Sequence, residues 1–201
     1  MDIILATTNG HKIREIRALL KTWGQFDLYS LLDFPAYVQP EETGCTFEEN
    51  AILKAQHCAQ TLNKWTIADD SGLVVPALGG SPGVCSARYA GLGASDKENR
   101  HKLLKEMSHL EDLSRSAYFE CCIALASPAQ IYKTVTGICE GVITTEEHGG
   151  YGFGYDSIFL KHDYNQTFGE LAEERKNQVS HRAKALEKLK RTLESLTSNS
   201  P

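Results

Sequence analysis

With 201 residues, the chain is long enough for one large domain or two small lobes with a substantial core, and its composition is that of an ordinary globular protein. Its net charge of -5 argues against a dominant nucleic-acid-binding surface, because such a surface needs a basic excess. No signal peptide, membrane-length apolar run, C-x-x-C pair or zinc-finger spacing is present, which predicts a cytoplasmic protein with reduced cysteines.

The chain opens with a short apolar strand, a polar loop and a helix. The strand is predicted over Ile3–Ala6, and helical spacing of apolar residues begins at Ile13 and continues to about Trp23. Between them lies the run Thr7-Thr8-Asn9-Gly10-His11-Lys12, rich in turn and capping residues. Such a loop presents backbone N–H groups and the positive end of a helix dipole, so it favours anions. An ordinary capped turn between strand and helix is the alternative interpretation.

A second strand and a second helix follow. The strand is predicted over Phe26–Leu32, and a loop after it contains the acidic residue Glu42. Thr46 and a glutamate three residues later form a capping-box pattern at the start of the helix. Lys54 lies away from the apolar stripe of this helix and is either directed into a cleft or solvated.

Two adjacent carboxylates, Asp69 and Asp70, interrupt an apolar segment. We predict a strand over Thr66–Ala68, a turn at Ser71-Gly72 and a second apolar run after it. Neighbouring like charges repel each other, and a metal ion is the usual compensation. A solvated acidic turn is the alternative when this segment is considered by itself.

The second half mixes strands and helices. A helix is predicted over Asp96–Met107, and two long strands over Ala117–Ala126 and Ile131–Ile143 are predicted to form a hairpin. A further helix is expected over about Phe168–Arg175. The fold class is therefore α/β or α+β, and we expect a mixed sheet that splits into two lobes around a cleft.

Two further segments carry candidate ligand contacts. In Phe153-Gly154-Tyr155-Asp156, aromatics among glycines suit either a ring-stacking platform or a buried hairpin turn. Ser180 is expected to cap a terminal helix whose first turn holds His181 and Arg182. Basic residues oppose the helix dipole at that position, which indicates a bound phosphate or base unless both side chains are solvated. Together with Lys176, these groups would suit a nucleotide with a divalent metal.

These motifs resemble, in order and over nearly the whole chain, the inosine triphosphate pyrophosphatase or Ham1-like family. The run Thr7 to Lys12 is similar to the family's [ST]-x-N-x-x-K. The family's second motif is matched by Glu42-Thr43-Gly44, followed by Thr46-Phe47, Glu49-Asn50-Ala51 and Lys54. Its remaining motifs resemble Ala68-Asp69-Asp70-Ser71-Gly72-Leu73, the stretch from Pro82 to Gly91, Phe153 to Asp156, and Ser180-His181-Arg182.

The resemblance implies a single domain over residues 1–201, with an elongated mixed central sheet, flanking helices and two lobes around a substrate cleft. It also implies Mg²⁺-dependent hydrolysis of ITP, dITP and XTP to the monophosphate and pyrophosphate by a homodimer. It implies Asp70 as the proton acceptor, and Glu42 and Asp70 as metal ligands. It implies substrate contacts of three kinds. Phosphates would be bound by Thr7, Thr8, Asn9, Gly10, His11, Lys12, Lys54 and Lys176; Ser71 would touch substrate; and the base would meet Phe153, Gly154, Tyr155, Asp156, His181 and Arg182.

Three residues depart from the family's pattern. Thr8, Cys85 and Ser157 stand where relatives often have Gly, Tyr and Pro, which bears on rate and base preference rather than on reaction class.

Two other functions compete with this one. The alternatives are a nucleotide-binding module without catalysis and a related pyrophosphatase for modified pyrimidine or methylated nucleotides. Neither a nucleic acid nor a membrane is expected as a partner.

Overall fold

The computed structural model describes residues 1–21, 23 and 26–198, with side chains up to residue 196. Within this part of the chain, strands and helices alternate, and short 3-10 turns connect several of them. No described helix is long and apolar enough to cross a membrane. The strands are β1 (Asp2–Leu5), β2 (Asp27–Ser30), β3 (Trp65–Val74), β4 (Ser116–Ala126), β5 (Ile131–Ile143) and β6 (Phe159–Lys161), and the helices are α1 (Gly10–Leu20), α2 (Phe47–Leu62), α3 (Asp96–Glu106), α4 (Glu173–Val179) and α5 (His181–Ser198).

The strands form one six-stranded sheet with the order β2-β1-β3-β4-β5-β6. β1 is parallel to β2, with Asp2 opposite Asp27, and it is also parallel to β3, with Ile3 opposite Trp65. β6 is antiparallel to the end of β5, where Gly141 pairs with Lys161. Parallel neighbours need a crossover, which α1 and α2 supply, and the sheet as a whole is mixed. The predicted α/β class with a mixed sheet and flanking helices is confirmed.

The chain divides into two compact units, each with its own apolar core. Unit 1 comprises Met1–Asp70, Cys121–Gly137 and the chain from Arg182 onward, while unit 2 comprises Ser71–Glu120 and Ile138–His181. The core of unit 1 packs α1 and α5 side chains such as Ile16 and Leu189 against β1, β3 and β4. The core of unit 2 contains Leu103 of α3 and the aromatic side chains Phe119, Tyr155, Phe159 and Phe168. The predicted substrate cleft stays a prediction.

Local capping signals fix the helix starts as the sequence indicates. The Thr46 hydroxyl accepts a hydrogen bond from the Glu49 backbone N–H, and the Glu49 carboxylate accepts one from the Thr46 N–H, so the predicted capping box is present. A second capping box at Ser95 and Glu98 starts α3 at Asp96, as predicted. Satisfying these first-turn donors stabilises each helix by about 1 kcal/mol.

The turn predicted at Ser71-Gly72 is wrong, because β3 continues through both residues to Val74. Gly72 makes this possible: a Cβ at this position would lie 2.3 Å from the Ser86 Oγ and 2.6 Å from the Gly83 carbonyl oxygen. A glycine inside a strand commonly marks such a close backbone approach. The acidic pair therefore lies within a buried strand and not in an exposed turn.

The helix predicted over Phe168–Arg175 is also wrong, since α4 begins at Glu173. Phe168 is instead fully buried, and its backbone N–H donates to the Phe159 carbonyl oxygen at 3.0 Å. Phe168 and Leu171 fill the core of unit 2 from a non-helical segment, which the apolar spacing alone does not distinguish from a helical stripe. α5 begins at His181, directly after Ser180, as predicted.

Candidate functional site

The loop between β1 and α1 is built by its own side chains. The Asn9 Oδ1 accepts hydrogen bonds from the backbone N–H groups of His11 (2.9 Å) and Lys12 (3.2 Å). The Thr7 hydroxyl accepts one from the Asn9 N–H at 3.1 Å. Thr8 through His11 are exposed, and the first turn of α1 contains no acidic residue. The loop thus has the form that the sequence indicates, and its phosphate contacts stay a prediction.

Asp69 lies at the centre of a buried ionic network in unit 1. Its carboxylate pairs with the ammonium of Lys12 and with the Arg182 guanidinium, whose Nε lies 3.2 Å from Oδ2. The Cys121 thiol donates to the same Oδ2 at 2.8 Å, and Arg182 also pairs with Glu15 of α1. Burial by itself would raise the pKa of Asp69, but Arg182 and Lys12 hold it well below its ordinary value.

Asp70 has a different environment, in which Lys54 is the main partner. The Lys54 ammonium donates to the Asp70 Oδ1 at 2.7 Å and to the Glu42 Oε1 at 3.1 Å. Only about a tenth of the Lys54 and Asp70 side chains is exposed. Burial raises the pKa of Asp70 above its ordinary value, because the charge of Lys54 only partly compensates for lost hydration. The interpretation of Lys54 as a solvated surface residue is therefore wrong.

The residues around Asp70 fit a magnesium ion. Glu42 and Asp70 share one ammonium, so this group of three charges has a net charge of -1 when both acids are ionised. Mg²⁺ prefers oxygen ligands and takes one or two carboxylates, completing its shell with phosphate oxygens and water. Among the described residues, no group of three or more His, Cys, Asp or Glu side chains that could hold a metal ion is present. A complete coordination shell at this site would therefore need phosphate oxygens or water as well as the protein side chains.

A second group of predicted residues comes together in unit 2. The Lys176 ammonium lies 2.6 Å from the Asp156 Oδ2 and 4.8 Å from the centre of the Phe153 ring. The same Asp156 oxygen accepts a hydrogen bond from the Phe153 backbone N–H at 2.9 Å. Lys176, predicted as a phosphate contact, therefore lies beside the predicted base-binding residues, and both its charge and that of Asp156 are buried.

The remaining predicted residues of unit 2 are less accessible. The Tyr155 ring is buried in the core, and its hydroxyl donates to the Ser86 carbonyl oxygen at 2.9 Å. The His181 ring is also buried and stacks on Phe119, with ring centres 4.7 Å apart. Ser71 lies inside β3 and is partly buried. The interpretation of His181 and Arg182 as solvated residues is wrong, since each is at most 4% exposed.

Arg182, another predicted base contact, has ion-pair partners within unit 1. It lies in unit 1, its side chain is 1% exposed, and its guanidinium binds the carboxylates of Asp69 and Glu15. The contact of His181 and Arg182 with a base stays a prediction. We interpret Arg182 as a buried ion-pair partner in unit 1.

Comparison with known proteins decides the family. The Ham1 family model matches residues 3–192. The chain belongs to the Ham1 family. It is 57% identical over 197 residues to the dITP/XTP pyrophosphatase of Chlamydia caviae, covering 98% of this chain and 96% of the relative. The dITP/XTP pyrophosphatase of Protochlamydia amoebophila is 56% identical, with 98% and 99% covered.

Solved structures of the Ham1 family have the same fold. The Ham1 protein of Staphylococcus aureus superimposes with a TM-score of 0.86 at 39% identity, covering 98% of this chain and all of that one. The HAM1 protein of Coxiella burnetii also gives 0.86, at 40% identity, with 96% and 98% covered. The fold and the family of this chain are thus established together.

Two buried polar residues that contact Asp70 and Arg182 were not predicted from the sequence as functional. Asn50 is fully buried; its amide donates to the Asp70 Oδ2 at 3.4 Å, and its Oδ1 accepts from the Gly44 N–H at 2.8 Å. Glu15 of α1 is buried and pairs with Arg182. Their signal in the sequence is a polar residue on the buried side of a helix, which periodicity reveals only when the apolar face is placed correctly.

Proposed function

We propose that this protein hydrolyses ITP, dITP and XTP to the nucleoside monophosphate and pyrophosphate. The observation that carries the proposal is the contrast between Asp69 and Asp70. Asp69 is held ionised by Arg182 and Lys12, while Asp70 has a raised pKa beside Lys54. Neighbouring carboxylates with opposite pKa shifts are typical of sites with divided roles. The names of the Ham1 family relatives, dITP/XTP pyrophosphatases, support the substrate class.

In this proposal Asp70 is the general base. Its carboxylate accepts a proton from water as the water oxygen attacks the α-phosphorus. The bond between the α-phosphorus and the oxygen bridging to the β-phosphorus breaks, and pyrophosphate leaves with that electron pair. About a tenth of the Asp70 side chain is exposed, so a water molecule can reach its carboxylate for this step.

We further propose that Glu42 and Asp70 bind Mg²⁺ together with phosphate oxygens. When bound, Mg²⁺ offsets negative charge on the phosphates and acidifies coordinated water. Lys12, Lys54 and the exposed loop Thr8–His11, at the positive end of the α1 dipole, bind phosphate oxygens and stabilise the charge that develops on the leaving pyrophosphate. Lys12 pairs with Asp69 in the protein, so a phosphate would compete with that carboxylate for the same ammonium.

We assign base recognition to Phe153, Asp156 and Lys176. Phe153 offers a ring for stacking, and the paired charges of Asp156 and Lys176 offer a hydrogen-bond acceptor and a donor. Hypoxanthine and xanthine carry a 6-oxo group where adenine carries an amino group. Because a buried donor without its acceptor is penalised, a lysine beside the base discriminates against adenine.

We also propose a cytoplasmic homodimer. The cytoplasmic assignment is supported by six cysteines that form no disulfide and by a substrate that belongs to the nucleotide pool. The dimer is supported by family resemblance. Light scattering of the purified protein at micromolar concentration tests it, and a mass of one chain contradicts it.

A product assay tests the function. ITP, dITP, XTP, GTP, ATP and dUTP are incubated separately with the protein and Mg²⁺, and nucleotides and pyrophosphate are quantified by chromatography. We expect equal amounts of monophosphate and pyrophosphate from ITP, dITP and XTP, and slow turnover of ATP. Tight binding of ITP without turnover would indicate a binding module, and preferential turnover of dUTP would indicate a pyrimidine enzyme. Either result would refute the proposal.

A further inference from the structure

Two charged side chains of α3 contact a single glycine, Gly154, of the aromatic loop, which comprises residues 147–157 in unit 2. The Gly154 backbone N–H donates to the Asp96 Oδ2 at 2.7 Å, and the Arg100 Nη1 donates to the Gly154 carbonyl oxygen at 2.7 Å. Asp96 and Arg100 are four residues apart, so they lie on the same face of α3. Both backbone polar groups of Gly154 are therefore bound by charged partners on one rigid element.

Arg100 also forms an ion pair with Glu147 at the start of the loop. Its Nε and Nη2 each lie 2.9 Å from the Glu147 Oε2, and the Ser157 hydroxyl donates to the same oxygen at 3.1 Å. Only 16% of the Arg100 side chain is exposed, and its planar fork suits several partners at once. Burial would raise the pKa of Glu147, but its hydrogen bonds and Arg100 lower it, as expected for a carboxylate that stays ionised in this contact.

Such contacts matter here because the conformational preferences of the glycines do not by themselves fix the backbone of this loop. Gly149, Gly152 and Gly154 all have positive φ values, of 77°, 75° and 60°. Glycine takes up these conformations without strain, but it also has many others available, so a glycine-rich turn is poorly fixed by its own sequence. Phe153 and Asp156 lie on either side of Gly154 in this turn, so the contacts of Gly154 help to fix their positions, alongside the Lys176 ammonium and the Gly169 N–H that bind Asp156.

We propose that Asp96 and Arg100 are positioning residues for base recognition: by binding both backbone groups of Gly154, they fix Phe153 and Asp156 where the base is met. This rests on the proposed function, which assigns the base to those two residues. Neither Asp96 nor Arg100 touches the substrate. Their contribution is to lower the number of loop conformations that must be lost when a base binds.

The competing interpretation is that the same contacts only attach α3 to the rest of unit 2. Asn99 of α3 does attach a neighbouring segment, since its side chain contacts the Ala90 N–H at 2.8 Å and the Ala87 carbonyl oxygen at 3.2 Å. Losing such an attachment lowers stability but affects all substrates alike. A positioning role instead changes discrimination between bases, which separates the two interpretations.

The test uses Arg100→Met, Asp96→Ala and Asp96→Asn, with Lys105→Met as the matched control. Lys105 is an exposed cation in the last turn of the same helix, away from the loop contacts. Asp96→Asn retains an acceptor for the Gly154 N–H and is the conservative variant. For each protein, kcat and KM are measured for ITP and for ATP, and amide hydrogen exchange is followed over residues 150–157.

We expect Arg100→Met and Asp96→Ala to raise the KM for ITP roughly tenfold, because charge-assisted hydrogen bonds that order the loop are lost. The kcat at saturating ITP should change less than about threefold, and the ratio of kcat/KM for ITP to that for ATP should fall roughly tenfold. Exchange over 150–157 should accelerate in both variants. Asp96→Asn should retain most of the wild-type ratio, and Lys105→Met all of it.

An unchanged ITP-to-ATP ratio in folded Arg100→Met and Asp96→Ala overturns the proposal, as does an equal fall in kcat/KM for both nucleotides. If Arg100→Met does not fold, Asp96→Ala decides, since Asp96 is exposed and its removal leaves no buried charge unpaired. If the wild type does not turn over ITP, the proposed function fails and base positioning fails with it, while the exchange data still report whether these contacts order the loop.

Discussion

Asp69 and Asp70 are consecutive residues of β3, and their carboxylates pair with different cations: Asp69 with Lys12 and Arg182, Asp70 with Lys54. Alternation of side chains along a strand accounts for this separation, because neighbours face opposite sides of the sheet. The strand geometry thereby converts two adjacent like charges into one deeply buried ion pair and one carboxylate whose pKa is raised.

Asp70→Asn should abolish pyrophosphate release from ITP without unfolding the protein. Loss of a general base lowers kcat by about 100- to 10,000-fold. The Lys54 ammonium keeps the Glu42 carboxylate at 3.1 Å as a partner, and the amide oxygen can still accept its hydrogen bond, so the melting temperature should not fall by more than a few degrees. Pyrophosphate release at saturating ITP and a thermal melt check both points. Activity within tenfold of wild type in a folded variant would exclude Asp70 as the base.

Arg182→Met should destabilise the protein strongly. The substitution removes a fully buried cation and leaves the carboxylates of Asp69 and Glu15 without it. Breaking a buried pair by removing one partner costs about 3–5 kcal/mol. Urea unfolding at pH 7 measures this loss. Arg191→Met on the exposed side of α5 serves as control and should change the free energy of unfolding by less than about 0.5 kcal/mol.

The pH dependence of stability should show the depressed pKa of Asp69. In the unfolded chain its pKa is close to 3.8, and in the folded protein it is well below this value. The stabilisation from ionised Asp69 is therefore fully present above pH 3.8 and is lost as the pH falls through the folded pKa. The difference in free energy of unfolding between wild type and Asp69→Asn should be large at pH 7 and shrink below pH 3.8. A difference that is constant between pH 7 and pH 2.5 would argue against an ionised Asp69.

Much of this arrangement follows from the sequence, and the exceptions have a physical cause. The capping residues at Thr46 and the apolar spacing of α2 depend on neighbours in sequence, so they predict the helix correctly. The Ser71-Gly72 pair has the composition of a turn but occupies the middle of β3, because Gly72 passes close to Ser86, a contact 14 residues away. Composition reports local preference, and long-range packing overrides it at such points.

The candidate site shows the same division. The sequence singles out Asp70, Lys54 and Glu42, and the structure brings these three together. It does not indicate which of the basic residues bind carboxylates of the protein itself. Arg182 binds Glu15 across 167 positions, and no local pattern near either residue encodes that partnership.

Mg²⁺ should stabilise the wild type in the presence of a non-hydrolysable ITP analogue, and Glu42→Gln should weaken this effect. The two carboxylates near Lys54 supply the oxygen ligands, and losing one reduces the charge that attracts the ion. Thermal melts are recorded with Mg²⁺ at about 1,000 times its Kd and again after the metal is chelated with excess EDTA. At this Mg²⁺ concentration, binding to the folded wild type contributes about 4 kcal/mol of stabilisation. Glu48→Gln, which alters an exposed acid in the first turn of α2, is the control. Equal metal-dependent shifts in wild type and Glu42→Gln would remove Glu42 from the metal site.

Gly72→Ala should destabilise the fold, because the new methyl group has no space. It would lie 2.3 Å from the Ser86 Oγ, which accepts a hydrogen bond from the Leu73 N–H, and 2.6 Å from the Gly83 carbonyl oxygen. Overpacking of this kind typically costs about 1–3 kcal/mol, and a backbone oxygen cannot rotate away as a side chain can. The free energy of unfolding in urea measures the loss.

Gly10→Ala is the matched control for that measurement. A Cβ at Gly10 meets no atom within 4 Å, and the residue opens α1, where alanine is a better helix former than glycine. We expect its free energy of unfolding to equal or exceed that of wild type. If Gly72→Ala were as stable as Gly10→Ala, β3 could not pass as close to the segment from Gly83 to Ser86 as it does in this structure, and the turn suggested by the sequence would regain support.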